Sequence, residues 1–383
     1  MSKSCSRIVF WEPSLSPHKQ DLFSSLAALS PDIDVICFAN EGLSRDRQSQ
    51  GWSVDALPSF LTIVSPNDAD IDKLVSERIE TTLHIFSGIR WVPSIIAGLI
   101  AVRRYRARFA IMSEPRVREG WKGMLRFFHS WLTETWLRRN VDFVLGQGRN
   151  GPAWFRLVGY PERFIFPFAY FVNSPSYKSP VNEVSYISNR PIQVGYAGRL
   201  VDVKGVFDLV SAVATLGYKA ELKIVGAGPA LQELRLQCLQ SNVAVDFLGV
   251  LPIQEVGQFM RDLDVLVLAS TSSDDGWGVV VSEALMCGTA VVATTCVGAS
   301  IMLDEPLFGR CVLPRSPKLI SDAICDLSTD GSFAPSKRYK RESLAKSRLS
   351  ADAGAAYLLK IIRWRFEGGV RPVPFNNLPD IRS

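Results

Sequence analysis

Short apolar segments alternate with helical patterns in two successive runs, and this rhythm constrains the fold more than any other feature of the chain. In the first run the strand candidates are residues 7–11, 34–38, 82–86, 109–112, 142–145 and 164–168. After the first of them Ser16 stands at an N-cap position with Pro17 at the first helical place, and Leu22, Phe23, Leu26 and Leu29 follow at helical spacing. Residues 173–190 are rich in Ser, Pro and Asn and lack apolar periodicity, as linkers do. A second run follows, with strands over 192–196, 221–225, 243–247, 265–268 and 289–293. Such alternation predicts an α/β protein with two Rossmann-like, doubly wound parallel-sheet domains. The expected division is a first domain over 1–172, a linker over 173–190 and a second domain over 191–350. A helix over 351–366 is expected to pack back toward the first domain, and 367–383 to form a loose tail. Open sheets of this class take ligands beyond the carboxyl ends of their strands, so the two domains are expected to face a central crevice.

A chain of 383 residues exceeds what one hydrophobic core usually serves, and 47% hydrophobic with 21% charged side chains excludes a disordered or fibrous protein. The seven cysteines are scattered, odd in number and without a C-x-x-C pair, which argues against a disulfide framework or a zinc site and fits a cytoplasmic compartment. The amino-terminal residues run straight into a strand with no signal-peptide apolar region, so no export signal is expected. The longest uncharged run, 284–303, is broken by Gly288 and Gly298 and is expected to form a buried helix, a turn and a parallel strand.

The net charge of +5 is too small for wholesale nucleic-acid binding, but it is unevenly spread. Residues 90–163 hold 14 Lys and Arg against five acids, a local +9 that leaves the rest of the chain at −4, and five of the nine tryptophans lie there. Within this segment Trp121, Leu125, Phe128, Leu132 and Trp136 share one helical face, and Lys122, Arg126, His129 and Thr133 another. The aromatic stripe is expected to pack on the first sheet, while the charge cluster suits either a solvated face or an anionic membrane surface.

The chemistry is expected in loops after the second-domain strands. Gly198 and Gly205 bracket Arg199 and Lys204 between a strand and a helix start, a pattern that fits a phosphate or diphosphate as well as an ordinary solvated loop. The Gly226-Ala227-Gly228-Pro229 turn is not a full dinucleotide fingerprint, because Leu231 occupies the third glycine position. With no acid at the second strand end either, a nicotinamide-dependent oxidoreductase is disfavoured. A third loop sets Asp274 and Asp275 before Gly276-Trp277-Gly278-Val279 and Glu283 on the following helix. Asp274 fits a helix-capping position, whereas Asp275 and Glu283 suit sugar hydroxyls.

In order, Gly198-Arg199-Leu200 with Lys204-Gly205, Ile224-Val225-Gly226 with Gly228-Pro229, Phe247 with Gly249, Asp264 to Leu268 with Ser270, and a carboxylate separated by seven residues from Glu283-Ala284, with Gly288, form a set. Over about residues 191–330 this set resembles the retaining, family 4 (group 1) glycosyltransferases of GT-B fold. The resemblance implies that Arg199 and Lys204 hold the diphosphate of a nucleotide-sugar donor, Glu283 its ribose and Asp275 its sugar, with no metal or cofactor. Gly198, Gly226, Gly228, Pro229, Gly249, Val250, Gly276, Trp277, Gly278 and Val279 would frame the donor. The implied acceptor is a glycan or lipid-linked hydroxyl in polysaccharide or lipopolysaccharide assembly at the inner face of the membrane. Asp275 is one methylene shorter than the family's usual Glu. Where the family often has a His, this chain has Ser113-Glu114-Pro115, leaving His18, His84, Ser113 and Glu114 as acceptor-side candidates. A sugar-phosphate synthase or a non-catalytic sugar- or nucleotide-binding relative remains the alternative.

Overall fold

Both runs of strands form all-parallel sheets. The computed structural model describes residues 4–43, 60–64, 66–117, 120–177, 190–273 and 276–378. The chain divides into two units, one built from residues up to Asn173 together with those from Ser350 onward, the other from Ser174–Leu349.

The first unit contains β1 (Arg7–Ser14), β2 (Asp34–Glu41), β3 (Leu61–Val64), β4 (Thr82–Ser87), β5 (Arg108–Ser113), β6 (Phe143–Gln147) and β7 (Ile165–Phe168), in the order β3-β2-β1-β4-β5-β6-β7. Its strands are mostly apolar because helices cover both faces. On one face Phe10 stacks on Phe23 of helix Pro17–Leu29, with ring centroids 4.0 Å apart. On the other, Trp11 packs against Phe38 and Phe86 and under helix Pro93–Tyr105. A Cβ on Gly98 of that helix would lie 2.6 Å from the indole, so only glycine allows this approach. Ser16 does occupy the N-cap of helix Pro17–Leu29, although its side chain makes no capping bond.

Helix Ala351–Glu367 packs on helix Pro17–Leu29 within the same unit. The following segment is docked rather than loose, correcting the sequence expectation as far as Leu378. Arg371 donates to the Ile165 carbonyl at 2.6 Å, and Phe375 is buried against Phe171 and Tyr357. Its sparse apolar residues carry no period, which is why the sequence pattern hides it.

The second unit contains β8 (Ile192–Ala197), β9 (Ala220–Val225), β10 (Val245–Gly249), β11 (Val265–Leu268), β12 (Ala290–Thr294) and β13 (Gly309–Val312), ordered β10-β9-β8-β11-β12-β13. Residues 284–303 form the end of a buried helix, the fully buried β12 and a 3-10 turn. Among the described residues no helix is long and apolar enough to cross a membrane. The basic stretch 337–348 lies in helix Pro335–Leu349, where Arg338, Arg341 and Arg348 are buried.

The aromatic stripe overturns its expectation. Trp121, Leu125, Phe128 and Leu132 of helix Gly120–Thr133 are exposed, and only Trp136, in the next short helix, stacks inward on Phe109 at 5.3 Å. The inner side of helix Gly120–Thr133 is instead held by a polar cluster. Arg90 pairs with the buried Glu134, which also accepts from the Tyr160 hydroxyl at 2.7 Å, while Arg116 donates to Ser130 Oγ at 3.1 Å. A satisfied buried ion-pair network of this kind costs too much to open for the stripe to replace it.

Candidate functional site

In each sheet the chain runs outward in two directions from a central pair of strands, β8 and β11 in the second unit and β1 and β4 in the first. At such a switch point the loops leaving the two strands part, opening a cleft above their carboxyl ends.

In the second unit the loops are laced through their backbones. The Gly198 amide donates to Val225 O at 3.0 Å, Leu200 to Ala227 O at 2.9 Å, and Gly226 to Gly249 O at 2.7 Å. A Cβ on Gly226 would fall 1.9 Å from Gly198 O, and one on Gly228 2.3 Å from Leu200 O. These two glycines therefore serve the close approach of loop to loop, and Ala230, after the exposed Pro229, donates to Leu200 O. Gly249 and Val250 lie exposed at the end of the edge strand β10.

The cations stand on this platform. Arg199 projects an exposed side chain, and its carbonyl accepts from the Tyr196 hydroxyl at 2.7 Å, which fixes the loop. Lys204, partly exposed, ends a 3-10 turn, and Gly205 at φ +65° then starts helix Val206–Leu216. The Thr271 amide donates to Val203 O at 2.9 Å, tying the β8 loop to the β11 loop across the switch. Past the β11 loop, Gly278 at φ +80° starts helix Val279–Met286, which carries the partly exposed Val279 and Glu283. The structure thus brings Arg199, Lys204 and two helix N-termini to loops on either side of one switch, an arrangement suited to a multiply charged anion.

One expectation needs amendment here. Trp277 is 1% exposed and its Nε1 donates to Ser282 Oγ at 2.9 Å, so its indole anchors the turn and is not available to a donor. The carbonyls of Gly276 and of Trp277 itself accept from the amides of Gly298 and Ala299. Asp275 and Asp274 lie outside the described residues.

The first unit's switch holds a cluster that sequence reasoning missed. Glu12, at the end of β1, is buried; its Oε2 accepts from Lys19 Nζ at 2.5 Å and its Oε1 from Ser87 Oγ at 2.6 Å. Lys19 also donates to Ser87 Oγ at 2.9 Å and sits 5.9 Å from the centre of the Tyr170 ring. The Tyr170 hydroxyl donates to Glu114 Oε1 at 3.0 Å. The only signal in the sequence was an acid closing the apolar run Phe10-Trp11-Glu12. Of the expected acceptor-side residues, Glu114 belongs to this group, and Ser113 beside it spends its hydroxyl on the Glu114 carbonyl at 3.0 Å. His18 lies partly exposed in the helix turn that carries Lys19.

His84 is a correction. It is 0% exposed in the middle of β4, where its Nδ1 accepts from Trp11 Nε1 at 3.2 Å, so it lines the core and not a ligand cleft. Burial, aided by Arg7, pushes its pKa down to about 3. The unfolded chain therefore binds a proton near pH 6.5 that the folded one refuses, and stability should fall by about 1.4 kcal/mol per pH unit from there toward pH 3. Burial raises Asp142 to about 6, so between about pH 4 and 6 that carboxyl acts in the opposite direction. Comparing wild type with His84→Gln, whose amide oxygen can still accept from Trp11, isolates the histidine; equal acid slopes would refute this account.

Comparison with known proteins follows the same division. Residues 182–346 match the family model described as Glycosyl transferases group 1. This supports a group 1 glycosyltransferase. The sequence is also 29% identical over 178 residues to the putative teichuronic acid biosynthesis glycosyltransferase TuaC of Bacillus subtilis, covering 45% of this chain and 38% of that protein. The chain spans about two fifths of the length of the curated relatives it matches. The structure resembles Anabaena HepE in complex with UDP, with TM-score 0.70 and 17% identity, covering 92% of this chain and 98% of that one. It also resembles the lipopolysaccharide outer core galactosyltransferase WaaB, with TM-score 0.69 and 16% identity over 93% and 99% of the two chains. The glycosyltransferase fold is therefore GT-B: two Rossmann-like units, with sheets of seven and six parallel strands.

Proposed function

We propose that this chain is a retaining, metal-independent hexosyltransferase. It moves a sugar from a nucleotide-sugar donor to a hydroxyl of a glycan or lipid-linked acceptor in cell-surface polysaccharide or lipopolysaccharide assembly, at the cytoplasmic face of the membrane. The observation that carries this reading is the pairing of Arg199 and Lys204 with the start of helix Val206–Leu216 at the switch beside β11. The names of TuaC and WaaB support the acceptor class, and the UDP bound to HepE supports the donor class.

In this mechanism the two cations and the first-turn amides hold the donor diphosphate. As the bond from anomeric carbon to phosphate oxygen breaks, negative charge grows on that oxygen, and the cations stabilise it without a metal. The acceptor hydroxyl attacks from the face the phosphate leaves, its proton passes to the departing phosphate, and the configuration is kept. Glu283 binds the ribose and Asp275 the sugar. On the first unit, Glu114 with Tyr170 orients the acceptor hydroxyl, and the Glu12–Lys19–Ser87 triangle holds that edge in shape.

A thermal-shift screen of UDP-, GDP- and ADP-sugars should raise the melting temperature with one donor class, since a ligand that binds only the folded state stabilises it by mass action. Proton NMR of the product made from that donor should give the donor's own anomeric configuration. An inverted product would overturn the retaining reading, and no response to any nucleotide sugar would overturn the donor site.

A further inference from the structure

Helix Gly120–Thr133 packs with its polar and small residues inward and its large apolar residues outward. Gly123 and Ser130 are buried, and Phe127 at the edge of that side packs against the core. Arg126 turns back to donate to Val117 O at 3.0 Å. On the far side Trp121, Met124, Leu125, Phe128, Trp131 and Leu132 are 65, 62, 58, 55, 51 and 64% exposed. At about 100° per residue these six share an arc of about 120°, with Lys122 and His129 along one border. Helix Pro93–Tyr105 packs against the same core and turns Ile96 and Ile100 outward, with Arg103 and Arg104 exposed in the following turn. Contiguous apolar surface of this kind on an outer helix marks a docking face.

We infer that this face docks on the surface of a lipid bilayer carrying anionic head groups, the six apolar side chains entering the head-group boundary and the bordering cations meeting lipid phosphates. Charge complementarity selects this occupant. The face lies in the segment of local charge +9, so two copies apposed through it would bring like charges together, whereas an anionic surface neutralises them. The shape agrees: an apolar arc bordered by Lys and rich in Trp, Phe and Leu is the pattern of helices that lie in a membrane interface. The inference deepens the reading of a membrane-side acceptor, but its test is a binding measurement and does not depend on turnover.

The full chain is floated with phosphatidylcholine vesicles, with and without phosphatidylglycerol, at low and high salt. Binding is expected to the phosphatidylglycerol vesicles, weakened by salt. Leu125→Ser/Phe128→Ser should lower partitioning at least tenfold and Lys122→Gln about fivefold. Both sites are exposed, so the thermal melts of the variants should match wild type. Three results would overturn the inference: no binding by wild type, equal binding by the double variant, or a dimer in solution that the double variant turns into monomer. Donor hydrolysis is read without vesicles in the same samples; its absence counts against the transferase reading and leaves the docking face standing.

Discussion

Arg199→Ala should lower turnover by about a hundred- to a thousand-fold, roughly 3–4 kcal/mol of lost transition-state stabilisation. The side chain is exposed and its loop is held through its backbone, as by the Tyr196 hydroxyl on the Arg199 carbonyl, so truncation leaves the platform in place. The loss is expected in both KM and kcat, because the diphosphate is charged before the bond to phosphate breaks and gains further charge as it breaks; a loss confined to KM would mean ground-state binding alone. Lys204→Ala should behave alike, and the double variant should fall short of the product of the two losses, since both act on one diphosphate. Steady-state kinetics with the donor found by thermal shift make the measurement. An Arg199→Ala enzyme with unchanged kcat/KM would remove the diphosphate from this loop.

The second large effect is on stability. Arg341 is fully buried, and its guanidinium donates to three carbonyls from three segments: Leu307 at 2.7 Å, Gly288 at 2.8 Å and Ser332 at 2.9 Å. Burial, with Arg338 nearby, lowers its pKa to about 9, a sign that keeping the charge inside is costly. Methionine fills similar space but strands all three acceptors, each worth about 1–3 kcal/mol when left unpaired. Arg341→Met should therefore cost about 3–5 kcal/mol in the free energy of unfolding, measured by chemical denaturation. Arg341→Lys should fall between, because one ammonium cannot span three diverging carbonyls. A cost below about 1 kcal/mol for the methionine variant would show that the carbonyls find other donors.

Neither effect is equally visible in the sequence. Arg199 and Lys204 lie in one short loop after a predicted strand, so spacing alone marks them. Arg341 sits in a stretch that the sequence marks only as strongly basic, and the burial of helix Pro335–Leu349 turns its arginines into internal ties. The strands divide in the same way. The apolar runs are legible, the four-residue β7 and β11 among them, whereas the edge strands β3 and β13 are not, since each of their four-residue runs is interrupted by a polar residue, Thr62 and Arg310. β10 begins two residues later than its apolar pattern suggests and ends in a bulge at Gly249.

The sequence by itself determined the two parallel sheets and the loops of the second unit that carry Arg199 and Lys204, because apolar runs, glycine turns and helix starts are local properties. Only the tertiary structure decided what depends on residues far apart in the chain. Glu12, Lys19 and Ser87 meet because β1 and β4 are neighbours across a switch, and His84 is core because Trp11 closes over it. The stripe from Trp121 to Leu132 presents the right period for an inward face. It points outward because Arg90, Arg116 and Glu134, drawn from separate segments, fill the inner side with a network that no period records.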